Sequence, residues 1–167
     1  MMGRSEPETG PRATRREHWS TDSEEETRAL GRSLARELAP DGTALLTGDL
    51  GAGKTVLACG IAEGLGIDAR EVQSPTFTLM REHLADDGRL LLVHLDLYRL
   101  EPEETFELGL DEVFAGPGVK VVEWAERLPM DVPGALRLEL RRRFESGREI
   151  HRLPTDPGGD LGESGDS

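Results

Sequence analysis

The stretch Gly48-Asp49-Leu50-Gly51-Ala52-Gly53-Lys54-Thr55 has the spacing G-x-x-x-x-G-K-[ST] of a loop that wraps the phosphates of a nucleoside triphosphate. The residue types suit that chemistry. Glycines let successive backbone N–H groups turn toward phosphate oxygens at a helix N-terminus. Asp49, Leu50 and Ala52 occupy the variable positions of the same cradle. Lys54 is spaced to reach the β- and γ-phosphates, and the Thr55 hydroxyl to ligate Mg2+. Of 20 basic side chains 18 are arginine, the lysines being Lys54 and Lys120, so a compact ammonium stands where a phosphate loop needs one.

Hydrolysis also needs a carboxylate that helps hold Mg2+ and a group that positions water. Asp96 ends the apolar run from Leu90 to Leu95, and Glu123 ends the run from Val119 to Val122. In open α/β sheets such strand ends converge on the ligand. A strand-end acid facing solvent is the plain alternative for each. Two of them downstream of a phosphate loop favour a site. Ser74, Thr76 and Thr78 are candidates to touch the γ-phosphate or the metal, although threonines also suit a strand. Trp124 fits either a core or a contact surface.

The elements that must position these groups are legible in the hydrophobic periodicity. Ser20 to Ser23 precede a helix with Leu30, Leu34, Ala35 and Leu38 as its apolar stripe. Its start is a capping box, either Thr21 with Glu24 or Ser23 with Glu26. Pro40-Asp41-Gly42 stops the helix, Thr43 to Thr47 reads as a buried strand, and Val56 to Leu65 as the helix after the loop. Residues 77–83 and 90–96 read as antiparallel neighbours across the turn Asp86-Asp87-Gly88. Glu101 to Glu104 opens a helix with Phe106 and Leu110 on its apolar side. A strand from Val119 to Trp124 leads into a helical turn from Ala125 to Leu128. Leu136, Leu138 and Leu140 alternate with Arg137, Glu139 and Arg141 as in a half-exposed strand, with a partner from Arg148 to Leu153.

Residues 1–17 and 154–167 lack periodicity and read as a disordered extension and a disordered acidic tail around one domain, 18–153. The net charge of −13 leaves −10 on that domain, which repels a nucleic-acid backbone over most of its surface. Any RNA chemistry is thus expected through protein partners. Cys59 has no second cysteine to pair with and reads as a small buried residue. His18, His83, His94 and His151 are scattered, without metal-ligand spacing. No apolar run approaches the roughly 18 residues of a membrane span, and no signal peptide is visible, so a cytoplasmic protein is expected.

At Gly48 to Thr55, Ser74-Pro-Thr-Phe-Thr-Leu79, His94-Leu-Asp-Leu-Tyr-Arg-Leu100 and Glu123-Trp124, the chain resembles the TsaE (YjeE) family, the bacterial ATPase component of tRNA threonylcarbamoyladenosine synthesis. The stretches occur in family order over roughly residues 20–153. The resemblance implies an α/β fold of P-loop NTPase type, three layers with a mixed parallel and antiparallel sheet flanked by helices. It implies ATP and Mg2+ as ligands, with Lys54 on phosphate, Thr55 and Glu123 on Mg2+, and Asp96 as the Walker-B-like acid near the γ-phosphate or the metal. Residues 74–79, with Thr76, would form a switch-like segment, and Arg148 of the pair Gly147-Arg148 would touch nucleotide. Implied partners are a TsaD-type transferase and its TsaB-type partner. ATP turnover would reset the complex that modifies adenosine 37 of tRNAs reading ANN codons, with tRNA reached indirectly. Ala125 stands where the family often has Pro, and Val56 where it has a second Thr; neither removes a ligand.

Three other readings compete with this one. A GTPase generally selects guanine with Asn-Lys-x-Asp, and this chain has no asparagine. A small-molecule kinase calls for an arginine-bearing lid, and residues 80–120 have few arginines. A non-catalytic nucleotide sensor lacks need of Asp96 and Glu123.

Overall fold

The computed structural model describes residues 17–72 and 79–155. Seven strands form one sheet in the order β1-β7-β6-β2-β5-β4-β3. They are β1 (His18–Thr21), β2 (Thr43–Thr47), β3 (Met80–Leu84), β4 (Leu90–Asp96), β5 (Val119–Glu123), β6 (Leu136–Arg142) and β7 (Arg148–Leu153). The apolar runs β2, β4 and β5 lie parallel at the centre with β6 beside β2. Strands buried on both faces carry such continuous runs. The alternating segments pair antiparallel at the edges: β3 with β4, β7 with β6, and β1 with β7.

Period two divides the core. Ala44 and Leu46 of β2 face one layer with Leu92, Val121, Leu138 and Ile150, under helices α1 (Glu24–Leu38) and α2 (Lys54–Gly64). Leu45 faces the other with Val93, Leu95 and Val122, under the segment that includes α3 (Pro102–Thr105), a 3-10 turn (Phe106–Leu108) and α4 (Leu110–Ala115). The expected α/β architecture with a mixed sheet flanked by helices is therefore present. Helices α1 and α2 cross in close contact. A Cβ at Gly60 would lie 2.3 Å from the Arg28 carbonyl oxygen, and one at Gly31 2.6 Å from that of Leu57. Arg28 and Arg32 of α1 bind the Glu63 carboxylate of α2 at 3.1 and 2.7 Å. Only glycine allows the backbones this near, and the crossing fixes the helix that carries Lys54 and Thr55.

Two elements differ from the sequence expectations, and one open alternative is resolved. His18–Thr21 is an edge strand, where only the approach to a helix was read; its four residues are too few to show a period. Ser23 rather than Thr21 is the N-cap of α1, accepting the Glu26 N–H at 3.1 Å, while Thr21 ends β1 and bonds Thr27. The helix opened at Glu101 is α-helical only to Thr105, tightens into the 3-10 turn and is interrupted at Gly109, which has φ 63°, and Phe106 is 75% exposed instead of packing with the buried Leu110. Lys120 is buried, its ammonium held by the carbonyls of Gly116 and Asp41. Cys59 is buried as expected, with Sγ 3.6 Å from the Val72 carbonyl oxygen. No helix among the described residues is long and apolar enough to cross a membrane.

Candidate nucleotide site

The loop runs from the end of β2 into the first turn of α2. Gly48, Gly51 and Gly53 all have positive φ, at 143°, 78° and 98°. Gly48 also has no room for a side chain, since a Cβ there would lie 2.3 Å from the Leu140 carbonyl oxygen. Gly53 is the N-cap of α2 and supplies no side-chain cap, so the helix presents its first N–H groups to the loop. Lys54 Nζ donates to the carbonyls of Gly48 at 2.5 Å and Asp49 at 2.8 Å, and lies 4.0 Å from the centre of the Trp124 ring. Burial holds its pKa below the usual lysine range, opposed by the carboxylates of Glu126, Glu123, Asp49 and Asp96.

Both strand-end acids arrive at this loop. Asp96 and Glu123 are direct neighbours in the parallel register of β4 and β5. Glu123 is 2% exposed, and each of its oxygens is engaged. Oε1 accepts the Thr55 hydroxyl at 2.7 Å, and Oε2 lies 2.6 Å from His94 Nε2, in a ring that is itself fully buried. Asp96 Oδ1 accepts the Tyr98 N–H at 3.0 Å. Burial raises the Asp96 pKa above the ordinary carboxyl value and Glu123 adds to this, while the Tyr98 N–H, His94 and Lys54 oppose it.

These groups open on a cleft of about 450 Å3, lined among others by Leu50, Lys54, Thr55, Asp96, Glu123 and Arg148. Arg148, at the start of β7, lies over the loop: a Cβ on Gly53 would meet its Nε at 3.0 Å. Gly51, Ala52 and Gly53 line the same cleft, whereas Gly48 and Asp49 line an adjoining hollow of about 290 Å3 with Arg141 and Arg142. Thr76 and the rest of 73–78 lie outside the described residues.

The donor set suits Mg2+. A hydroxyl and a carboxylate are hard oxygen ligands, and two oxygens on an octahedral Mg2+ stand roughly 2.9 Å apart, from metal–oxygen distances of about 2.0–2.1 Å. The Thr55–Glu123 separation of 2.7 Å is close to that value.

His94 opens the stretch His94 to Leu100 that carries the resemblance, but by spacing alone it is one of four scattered histidines with no role. Its signal was parity: it shares a strand face with Leu92 and Asp96, so a polar ring is turned inward one step before the acid. Trp124, which the sequence fits to either core or contact surface, sits at the cleft with φ 58° and packs against Tyr98 with ring centroids 4.7 Å apart and the planes tilted by 37°. Tyr98, Arg99 and Glu24 also line the cleft.

Residues 21–150 match the family described as "Threonylcarbamoyl adenosine biosynthesis protein TsaE". The tRNA threonylcarbamoyladenosine biosynthesis protein TsaE of Bacillus subtilis (strain 168) is 46% identical over 133 residues, covering 79% of this chain and 82% of that protein. The protein of the same description from Nostoc sp. is 41% identical over 134 residues, covering 78% and 81%. Among solved structures, the crystal structure of Bacillus subtilus YdiB is similar with a TM-score of 0.64 and 37% identity, over 84% of this chain and 86% of that one.

Proposed function

The chain belongs to the TsaE family, and we propose that it is the Mg2+-dependent ATPase of tRNA threonylcarbamoyladenosine synthesis, hydrolysing ATP to reset a TsaD–TsaB-type transferase complex in the cytoplasm. The modified position would be adenosine 37 of tRNAs reading ANN codons, with tRNA held mainly by the partners. The observation that carries the reading is the contact between Thr55 and Glu123 at 2.7 Å, which joins the phosphate loop to the end of β5 beside Asp96.

Each residue has a part that its position supports. The α2 N-terminus and the loop glycines receive the phosphates, and Lys54 exchanges its two carbonyl partners for phosphate oxygens. Thr55 and Glu123 would hold Mg2+, which would neutralise charge on the phosphates. His94 fixes the rotamer of Glu123 from within the core, leaving Oε1 facing the loop. Asp96, partly desolvated and favouring its proton more than an ordinary aspartate, stands where the terminal phosphate or its attacking water would be held. Arg148 adds a cation from β7. The test is ATP turnover by the protein alone and with the transferase pair. Stimulation by the pair supports the reading; nucleotide binding without turnover in either setting would make the protein a sensor.

A further inference from the structure

His18, Glu149 and His151 take no part in the nucleotide cleft, yet their donor atoms all lie within 4.8 Å of one another, the one group of three or more possible metal ligands among the described residues. The topology brings them together. His18 is directly opposite His151 in the β1–β7 register. The next pair, Glu17 and Arg152, is the hydrogen-bonded one, with the Arg152 N–H donating to the Glu17 carbonyl at 2.8 Å. His18 and His151 therefore form a non-hydrogen-bonded pair, in which opposed side chains stand closest. Their rings stack at 4.4 Å with 18° between planes. Glu149, two residues before His151 on the same strand face, places Oε2 3.7 Å from His151 Nε2. That nitrogen is shielded from solvent and has no hydrogen-bond partner. Trp19 and Ile150, the residues between, turn to the opposite face and pack under α1 and α2.

We propose that His18, His151 and Glu149 form a binding site for a divalent transition ion of the Zn2+ type. Two imidazoles and one carboxylate favour Zn2+, Ni2+ or Cu2+ over Mg2+, which takes oxygen ligands. The site is thereby distinct in chemistry from the Thr55–Glu123 pair. Donors on one tetrahedral Zn2+ stand roughly 3.4 Å apart, from Zn–N distances of about 2.0–2.1 Å. Closing from the present spacing takes a rotation of the exposed His18 ring and of the Glu149 side chain. The bound ion ties the edge strand β1 to β7, the strand that begins at Arg148 over the phosphate loop. An open coordination position remains for water.

The test uses the full-length chain without an affinity tag, in excess Mg2+, titrated with Zn2+ by calorimetry and with Cu2+ by electron paramagnetic resonance. One equivalent of Zn2+ is expected, raising the melting temperature, with nitrogen splitting from two imidazoles in the Cu2+ spectrum. His18→Ala, at an exposed edge position, is expected to keep the fold and nucleotide binding while losing the Zn2+-dependent stabilisation. His151→Ala loses it likewise, and Glu149→Gln weakens it. Absence of Zn2+ binding, or binding unchanged in His18→Ala, would overturn the proposal.

Discussion

The hydroxyl of Thr55 and Oε1 of Glu123 are 2.7 Å apart, so the first turn of α2 and the last residue of β5 are joined beside the cleft. Behind that contact Glu123 is held by His94, giving a chain from the loop surface into the core. Thr55→Val removes the hydroxyl at nearly constant volume. Nucleotide affinity in the presence of Mg2+ is expected to fall toward the metal-free value, with little change when Mg2+ is chelated. Titration with and without chelator checks this.

His94 fills a fully buried position, and its loss leaves Glu123 Oε2 without a partner in the core. An unsatisfied buried acceptor costs about 1–3 kcal/mol. His94→Leu is expected to lose stability of that order in urea denaturation and to lower turnover with nucleotide binding retained. His94→Gln, which can still donate, should recover part of both.

Burial holds the Asp96 carboxyl above its ordinary pKa, with the Tyr98 N–H only partly opposing. A group raised in this way contributes stability below its unfolded pKa and loses it as pH rises through the folded value. Ionised Asp96 therefore weighs against the fold at neutral pH. Asp96→Asn keeps an acceptor for the Tyr98 N–H and is expected to melt higher than wild type at neutral pH. The difference should vanish below the ordinary aspartate range. Turnover falls throughout, the trade expected where a site is built at the expense of stability. Melting curves across pH decide it.

Much of this was legible because it is written in short periods. The phosphate loop has fixed spacing, and Asp96 and Glu123 close two mostly apolar runs, the composition of strands buried on both faces. The two acids meet because β4 and β5 are adjacent and parallel, a neighbour relation that no local pattern encodes. His94 was overlooked for the same reason: its inward turn is a matter of parity, but its partner is 29 residues away. The stacking of His18 on His151 depends on β1 returning to β7 from the far end of the chain, and a four-residue strand carries no period by which to foresee it. The helical spacing of Phe106 and Leu110 has no counterpart in the fold, because the α-helix ends at Thr105 and Gly109 turns left-handed between them.

The crossing of α1 on α2 sets the position of the loop's helix, and Gly60 has no space for a methyl group, with backbone of Arg28 in the way. Gly60→Ala is expected to destabilise by about 1–3 kcal/mol through overpacking. Because the same helix carries Lys54 and Thr55, nucleotide affinity should fall with it. Thermal denaturation and nucleotide titration of the variant test both.

Turnover of ATP, alone and with the TsaD–TsaB-type pair, for wild type and Glu123→Ala, bears most directly on the proposed function. The expected result is slow turnover by the isolated protein, strong stimulation by the pair, and loss of that stimulation in Glu123→Ala with nucleotide still bound. Equal turnover by wild type and Glu123→Ala, or none in either setting, would contradict it.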